Sequence, residues 1–339
     1  MKKYISILLA FSILFSLSGC GTSVTAETET SAKSIPDPII EDHISYNSTQ
    51  GQQRLSIEAE ISLPDTIPSE RFILSFDEDA RENLFKTLIK DPKDLAHEDQ
   101  DGGITDITFD TEVHPGSAPG DIYFEDHRKT DWHEKSLDNE KFWEPGYFSP
   151  YKPGNFSKSS KEAAEEFGDF LNTYSCLNFV PLRAESREGA DGAYYVHFKT
   201  TFQGLPVLSR DLHIISGQIR ETGIEGFQGH MLLKEADKQP IENPLSLQEA
   251  IERFKTDSFE NSYARLISID QILLCYVAMP QGDGWVLSPS WIFLGQESGS
   301  YTDPFADYHM GDSLPIAYLY DLNDGFLDIM DSNTLHFAF

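Results

Sequence analysis

Residues 159–174 read SSKEAAEEFGDFLNTY and residues 194–207 read YYVHFKTTFQGLPV, a helix signal followed by a strand signal. Ser159 stands three residues before Glu162, the spacing of a capping box, in which each side chain closes a backbone N–H left open at a helix start. Ala163, Phe167, Phe170, Leu171 and Tyr174 then recur on one helical face. Downstream, Tyr194, Val196, Phe198 and Phe202 alternate with His197 and Lys199 in the period of a half-buried strand. Gln203-Gly204-Leu205-Pro206-Val207 interrupts that ladder, and strands resume over 212–215 and 218–224.

The same plan returns near the C-terminus. Ser246 and Glu249 form a second capping box, with Leu247, Ala250, Ile251 and Phe254 on the buried face. Strands follow over 267–279, 285–294 and 314–329, the last folded at Asn323-Asp324-Gly325, a hairpin turn signal. Proline donates no N–H to a ladder, so Pro289 implies an edge or a bulge. The expected class is α+β: a strand-rich N-terminal domain, then two duplicated helix-plus-antiparallel-sheet units at 154–240 and 241–339.

The N-terminal domain is expected over 51–153. Leu55, Ile57, Ala59, Ile61 and Leu63 alternate as a strand, a second strand covers 72–76, and Asp77 opens a helix carrying Ala80, Leu84, Leu88 and Ile89. Beyond Asp91, glycines and prolines at 102, 103, 115, 116, 119 and 120 break the chain into a loop-rich connector, with strand-like pieces at 104–109 and 122–124.

Before the folded part, Lys2 and Lys3 precede an apolar run from Ile5 to Ser16, then Leu17, Ser18, Gly19 and Cys20. This is the order of a signal peptide ending in a lipobox, so residues 1–19 are expected to be removed and Cys20 to carry lipid. The run is too short for a spanning helix, which needs about 20 apolar residues. Residues 20–50, rich in Thr, Ser, Glu, Pro and Asp, are expected to be a disordered tether. The protein is therefore expected on the outer face of the cytoplasmic membrane, held there by its lipid.

Several stretches resemble known families. Tyr195-Val196-His197-Phe198 through Phe202-Gln203-Gly204-Leu205-Pro206-Val207, with Asp211-Leu212-His213-Ile214, resembles the strand-turn-strand of propeptide-type domains of the PepSY group. The 269–276 strand, Leu287-Ser288-Pro289-Ser290-Trp291-Ile292-Phe293 and the turn at Asp324-Gly325 are similar to the matching part of that group and to extracytoplasmic YycI-type regulators of sensor kinases. Ile57-Glu58-Ala59-Glu60-Ile61 with Leu63-Pro64-Asp65, joined to the lipobox, looks like a family of Gram-positive lipoproteins of unknown function. The resemblance implies two PepSY-like units and a regulatory role. YycI-type regulators are anchored by a helix, whereas this chain carries a lipobox.

The chain has 56 acidic and 26 basic residues, a net charge of -30 that becomes -32 once the two N-terminal lysines leave with the signal peptide. Such a field repels nucleic acid and suits cationic partners. Cys176, on the apolar face of the helix that Ser159 caps, and Cys275, in a strand, sit among apolar neighbours and read as buried thiols. No His-Glu-x-x-His, Gly-x-Ser-x-Gly or paired Ser-x-x-Lys pattern appears, and Asp99, Asp101 and Asp106 lack the twelfth-position Glu of a calcium loop. His127 and His133, near Asp126 and Glu134, read as loop residues. No cofactor and no catalytic residue is expected.

Aromatic crowding marks the candidate binding surface. Trp132, Phe142, Trp143, Tyr147, Phe148 and Tyr151 fall in one short stretch with Pro145, Gly146 and Pro150, and such side chains anchor peptides or stack on sugars. The competing reading packs them onto a neighbouring domain. The functional expectation is a non-enzymatic surface module for a protein or peptide partner, such as a sensor kinase or secreted protease. The alternative is an extracytoplasmic hydrolase or a carbohydrate-binding lipoprotein.

Overall fold

Strands dominate the computed structural model, which describes residues 43–88, 145–188, 192–209, 215–262, 264–299 and 314–331, together with short strands at 95–98, 104–106, 111–115, 121–126 and 135–136. In chain order these are β1 (His43–Gln50), β2 (Gln53–Ser62), β3 (Glu70–Phe76), α1 (Glu78–Leu88), β4 (Leu95–Glu98), β5 (Ile104–Asp106), β6 (Thr111–Pro115), β7 (Asp121–Asp126) and β8 (Lys135–Ser136). Then come α2 (Ser160–Asn172), β9 (Asn178–Glu188), β10 (Ala193–Phe202), β11 (Leu205–Leu208), β12 (Ser216–Arg220), β13 (Gly223–His230) and β14 (Leu233–Pro240). The last described elements are α3 (Leu247–Asn261), β15 (Leu266–Gln281), β16 (Gly284–Ser298), β17 (Leu314–Asp321) and β18 (Gly325–Asp331).

Both capping boxes form. Ser159 and Ser246 accept the N–H of Glu162 and Glu249, whose carboxylates accept the cap N–H in return. α2 lays Phe167 against Phe198 and Phe227, while α3 stacks Phe254 on Phe293 at 4.5 Å. Trp291, fully buried, donates its indole N–H to the Leu245 carbonyl at 2.8 Å. Burying a ring such as Phe254 contributes on the order of 2 kcal/mol.

The expected class needs correction: the fold is mostly β, with three helices among the described residues and a large mixed sheet, not a pair of PepSY-like helix-plus-sheet units. The cause lies in the pairing. β15 and β16 form a long hairpin, and N-terminal strands fill in on both sides of it, β2 running parallel to β15 and β3 antiparallel to β16. β7 likewise pairs with β13, β8 with β9, and β14 with β3. β11 joins the strand systems, since it leaves β10 by a hairpin and runs parallel to β15 at Val207 and Leu208. Neither segment therefore owns its sheet.

Three local expectations change as well. The last eight residues of the expected tether form β1, because Ile44, Tyr46 and Ser48 lie beside the buried Ala59, Ile57 and Leu55 of β2. Pro289 is at neither an edge nor a bulge. β16 is lined on one side by β15 and on the other by β3 at 284–287 and by β17 at 290–297. Gly284 closes a two-residue turn with Gln281, so residues of odd number in this stretch aim their N–H away from β15. The missing N–H of Pro289 thus falls in the gap between β3 and β17, where only its carbonyl is used, by Leu322 N–H at 3.0 Å. Cys176 lies past the end of α2 rather than on it, its N–H bonded to the Leu233 carbonyl.

Candidate functional site

The aromatic stretch divides. Cys20, Trp132, Phe142 and Trp143 lie outside the described residues. Residues 146–149 run beside β9 as an extra strand: Gly146 N–H bonds Leu182 O, Ala184 N–H bonds Tyr147 O and Ser149 N–H bonds Ala184 O, at 2.8 to 3.0 Å. Tyr147 and Phe148 are half-buried in this docking. Tyr151 behaves differently. Its carbonyl accepts Ser186 Oγ at 2.6 Å and Tyr194 Oη at 3.3 Å, which pins the backbone while the side chain stays 55% exposed. An exposed aromatic ring on a fixed backbone presents contact area with fewer groups left to order on binding.

A polar cluster that sequence reading did not single out lies on the sheet formed by β9, β10, β12 and β13. Arg183, Glu185 and Arg187 of β9 share a face with Tyr195 and His197 of β10 and with Ser216, Gln218 and Arg220 of β12, as the cross-strand pairs require. The opposite face carries Tyr194, Val196, Ile219 and Phe227 toward α2. Alternation of this kind normally marks a solvated face. Here Arg183 is 1% exposed, Glu185 2% and Gln218 0%.

Close ion pairs run through the cluster. Glu185 pairs with Arg187 at 2.5 Å, whose guanidinium lies over the Tyr195 ring, and Glu225 pairs with Arg220. Burial pushes the His197 imidazole down to about 3, and the Arg183 and Arg187 charges push the same way. A general base needs a pKa near the working pH, so His197 is a neutral structural group and not a proton acceptor. Among the described residues the Gln218 amide finds no hydrogen-bond partner at either its oxygen or its nitrogen.

A second cluster holds the far side of the long hairpin. Arg71 Nε donates to Ser288 Oγ at 2.9 Å, its Nη2 donates to Asp321 at 2.7 Å and to Asp324 at 2.5 Å, and Ser288 donates to Asp321. The guanidinium holds the Asp324 carboxyl below the usual carboxylate range, while Asp324 and Asp321 keep Arg71 charged against its partial burial. Asp321 also accepts the N–H groups of Asn323 and Asp324, shaping the β17–β18 turn. Ser288 receives its hydrogen bond from a guanidinium and faces no imidazole in this cluster. The arrangement ties β3, β16 and β17 together and does not activate a nucleophile.

The thiols are equally quiet. Cys176 and Cys275 are unbridged; burial pushes Cys176 up to about 12 and raises Cys275 well above the ordinary thiol range. Neither is a thiolate at neutral pH. Among the described residues no group of acids, histidines and cysteines gathers as a metal cluster. Asp99, Asp101, His127, His133 and Glu134 lie outside them, while Asp106 and Asp126 end β5 and β7.

No family model matches the chain, and no curated protein matches it. Among solved structures it is similar to an uncharacterized protein from Eubacterium rectale ATCC 33656, at a TM-score of 0.45 and 14% identity, over 85% of this chain and 96% of the other.

Proposed function

We propose that the protein is a lipid-anchored binding module on the outer face of the cytoplasmic membrane, which holds a protein partner and turns over no substrate. The observation that carries this reading is Tyr151, an exposed ring on a backbone fixed by Ser186 and Tyr194. Tyrosine is enriched where binding energy concentrates, because it brings area and a hydroxyl with few rotatable bonds. The lipobox ending at Cys20 supports the location, and the net charge of -30 supports a partner of basic surface. No helix among the described residues is long and apolar enough to cross a membrane.

The test uses the mature chain with Cys20→Ser, immobilised and exposed to solubilised cell-envelope proteins of the source cell, beside a Tyr151→Ala variant. The expected result is one or a few specific captured proteins, lost with Tyr151→Ala and weakened by salt. A hydrolase panel on the same preparation supplies the counter-case. Reproducible turnover that disappears on changing one Asp, Glu or His overturns the reading, as does capture indifferent to Tyr151.

A further inference from the structure

β1 lies outermost beside β2, and no described residue pairs with its other edge. Gln50 and Gln53 close a two-residue turn with Gly51 at φ 61, so they exchange both backbone hydrogen bonds. Alternation along an antiparallel pair then directs Ser48, Tyr46 and Ile44 toward β2. His43, Ser45, Asn47 and Thr49 aim their N–H and C=O groups outward. Natural sheets blunt such edges with lysine, proline, bulges or short strands. β1 has eight residues, regular pairing throughout, and neither Lys nor Pro.

The two faces beside this edge differ. On one, Ile44 and Tyr46 are half-buried against the core residues Ala59 and Ile57, leaving apolar surface for a further strand to cover. On the other, His43, Ser45, Asn47 and Thr49 stand exposed over Glu60, Glu58, Ser56 and Arg54. Glu58 and Glu60 make the end away from the turn acidic. Ser45 donates to Glu58 and holds its carboxyl below the ordinary range, and His43 lies 3.4 Å from it. Arg54 marks the turn end, and Lys255 of α3 covers the Tyr46 ring at 4.4 Å.

We propose that the open edge of β1 is a strand-addition site for an extended segment of a partner protein in which basic and apolar residues alternate. The proposal rests on the reading of the protein as a binder of protein partners, and it adds to the Tyr151 contact a second site together with the chemistry of what binds there. Backbone pairing supplies the attachment, alternate apolar side chains extend the Ile44–Tyr46 surface, and basic side chains between them reach Glu58 and Glu60. A second copy of the chain is a poorer occupant. Pairing β1 with β1 brings together two bodies of net charge -30 or beyond.

The experiment measures fluorescence anisotropy of a labelled octapeptide alternating lysine and valine, titrated with the mature chain carrying Cys20→Ser. Controls are the same peptide N-methylated at alternate residues and an octapeptide alternating glutamate and valine. Expected are saturable binding of the first, at least tenfold weaker binding of both controls, and a tenfold or greater loss with Asn47→Pro. That proline replaces only an outward N–H and leaves the β1–β2 ladder its bonds. The N-methylated control keeps the question answerable if the variant misfolds. No binding by the first peptide, equal binding by the glutamate peptide, or disulfide-linked Asn47→Cys dimers in place of peptide binding each overturn the proposal. Loss of the edge result with Tyr151-dependent capture intact removes this site alone, whereas loss of both removes the wider reading.

Discussion

At the scale of single residues, the buried polar face of β9, β10 and β12 makes stability depend on pH through His197. Its folded pKa is pushed down to about 3, by burial first and then by Arg183 and Arg187, whereas a free imidazole titrates near 6.5. Between those values the unfolded chain takes up a proton that the folded chain refuses. Stability is therefore full above about pH 6.5 and falls as pH drops toward the folded value, by at most about 1.4 kcal/mol per pH unit. Melting temperatures from pH 7.5 to 5.0 test this, because carboxylates have barely begun to titrate there. Wild type is expected to lose several degrees more than His197→Gln across that window, and parallel profiles would show that His197 is not responsible. The residues of this face were hidden in the sequence for a physical reason. Arg183, Glu185 and Arg187 alternate as a solvated face does, and only the third dimension reveals that the face is covered.

At the scale of elements, close backbone approach decides where the long hairpin bends. β15 carries a register shift between Ile269 and Gln271, opposite Gly295 of β16. A Cβ on Gly295 would run into the carbonyl oxygen of Ser268, a backbone atom that cannot swing aside. Gly295→Ala is thus expected to cost about 2 kcal/mol or more, by driving a Cβ into fixed backbone. Chemical denaturation checks it, and a loss below about 0.5 kcal/mol would mean that the ladder relaxes freely there. The elements differ in how much the sequence told of them. The capping boxes at Ser159 and Ser246 were legible because cap chemistry is complete within four residues. β1 was not, since only Ile44 and Tyr46 are apolar in a polar run and its strand state depends on β2. The aromatic stretch was legible as a feature, and among its described residues Tyr147 and Phe148 dock on β9 while the ring of Tyr151 stands clear. The fold class failed at the longest range. That Ile57 of β2 lies beside Ile269 of β15 is a pairing no local pattern encodes, and it dissolves the expected separate units into a shared sheet.

At the scale of the whole molecule, 56 acids against 26 bases set folding and binding at odds in one respect. Most ion pairs among the described residues have at least one exposed partner, such as Glu78 with Arg81 and Glu82 with Lys86, and such pairs contribute a fraction of a kcal/mol each. The excess acids repel one another in the compact state, more than in the expanded chain. Raising salt from 0.01 M to 0.1 M shortens the screening length from about 30 Å to about 10 Å, so the fold should gain stability, with a melting temperature several degrees higher. The same screening removes attraction between β1's acidic end and a basic strand, so the lysine–valine octapeptide should bind several-fold more weakly. One salt series read by both measurements therefore gives opposite slopes. If both fall together, screening of the exposed attractive pairs outweighs the relief of repulsion, and those pairs rather than the net charge set the response of stability to salt. If the melting temperature rises while peptide binding holds constant, backbone pairing alone attaches the strand, and Glu58 and Glu60 contribute nothing to the choice of partner.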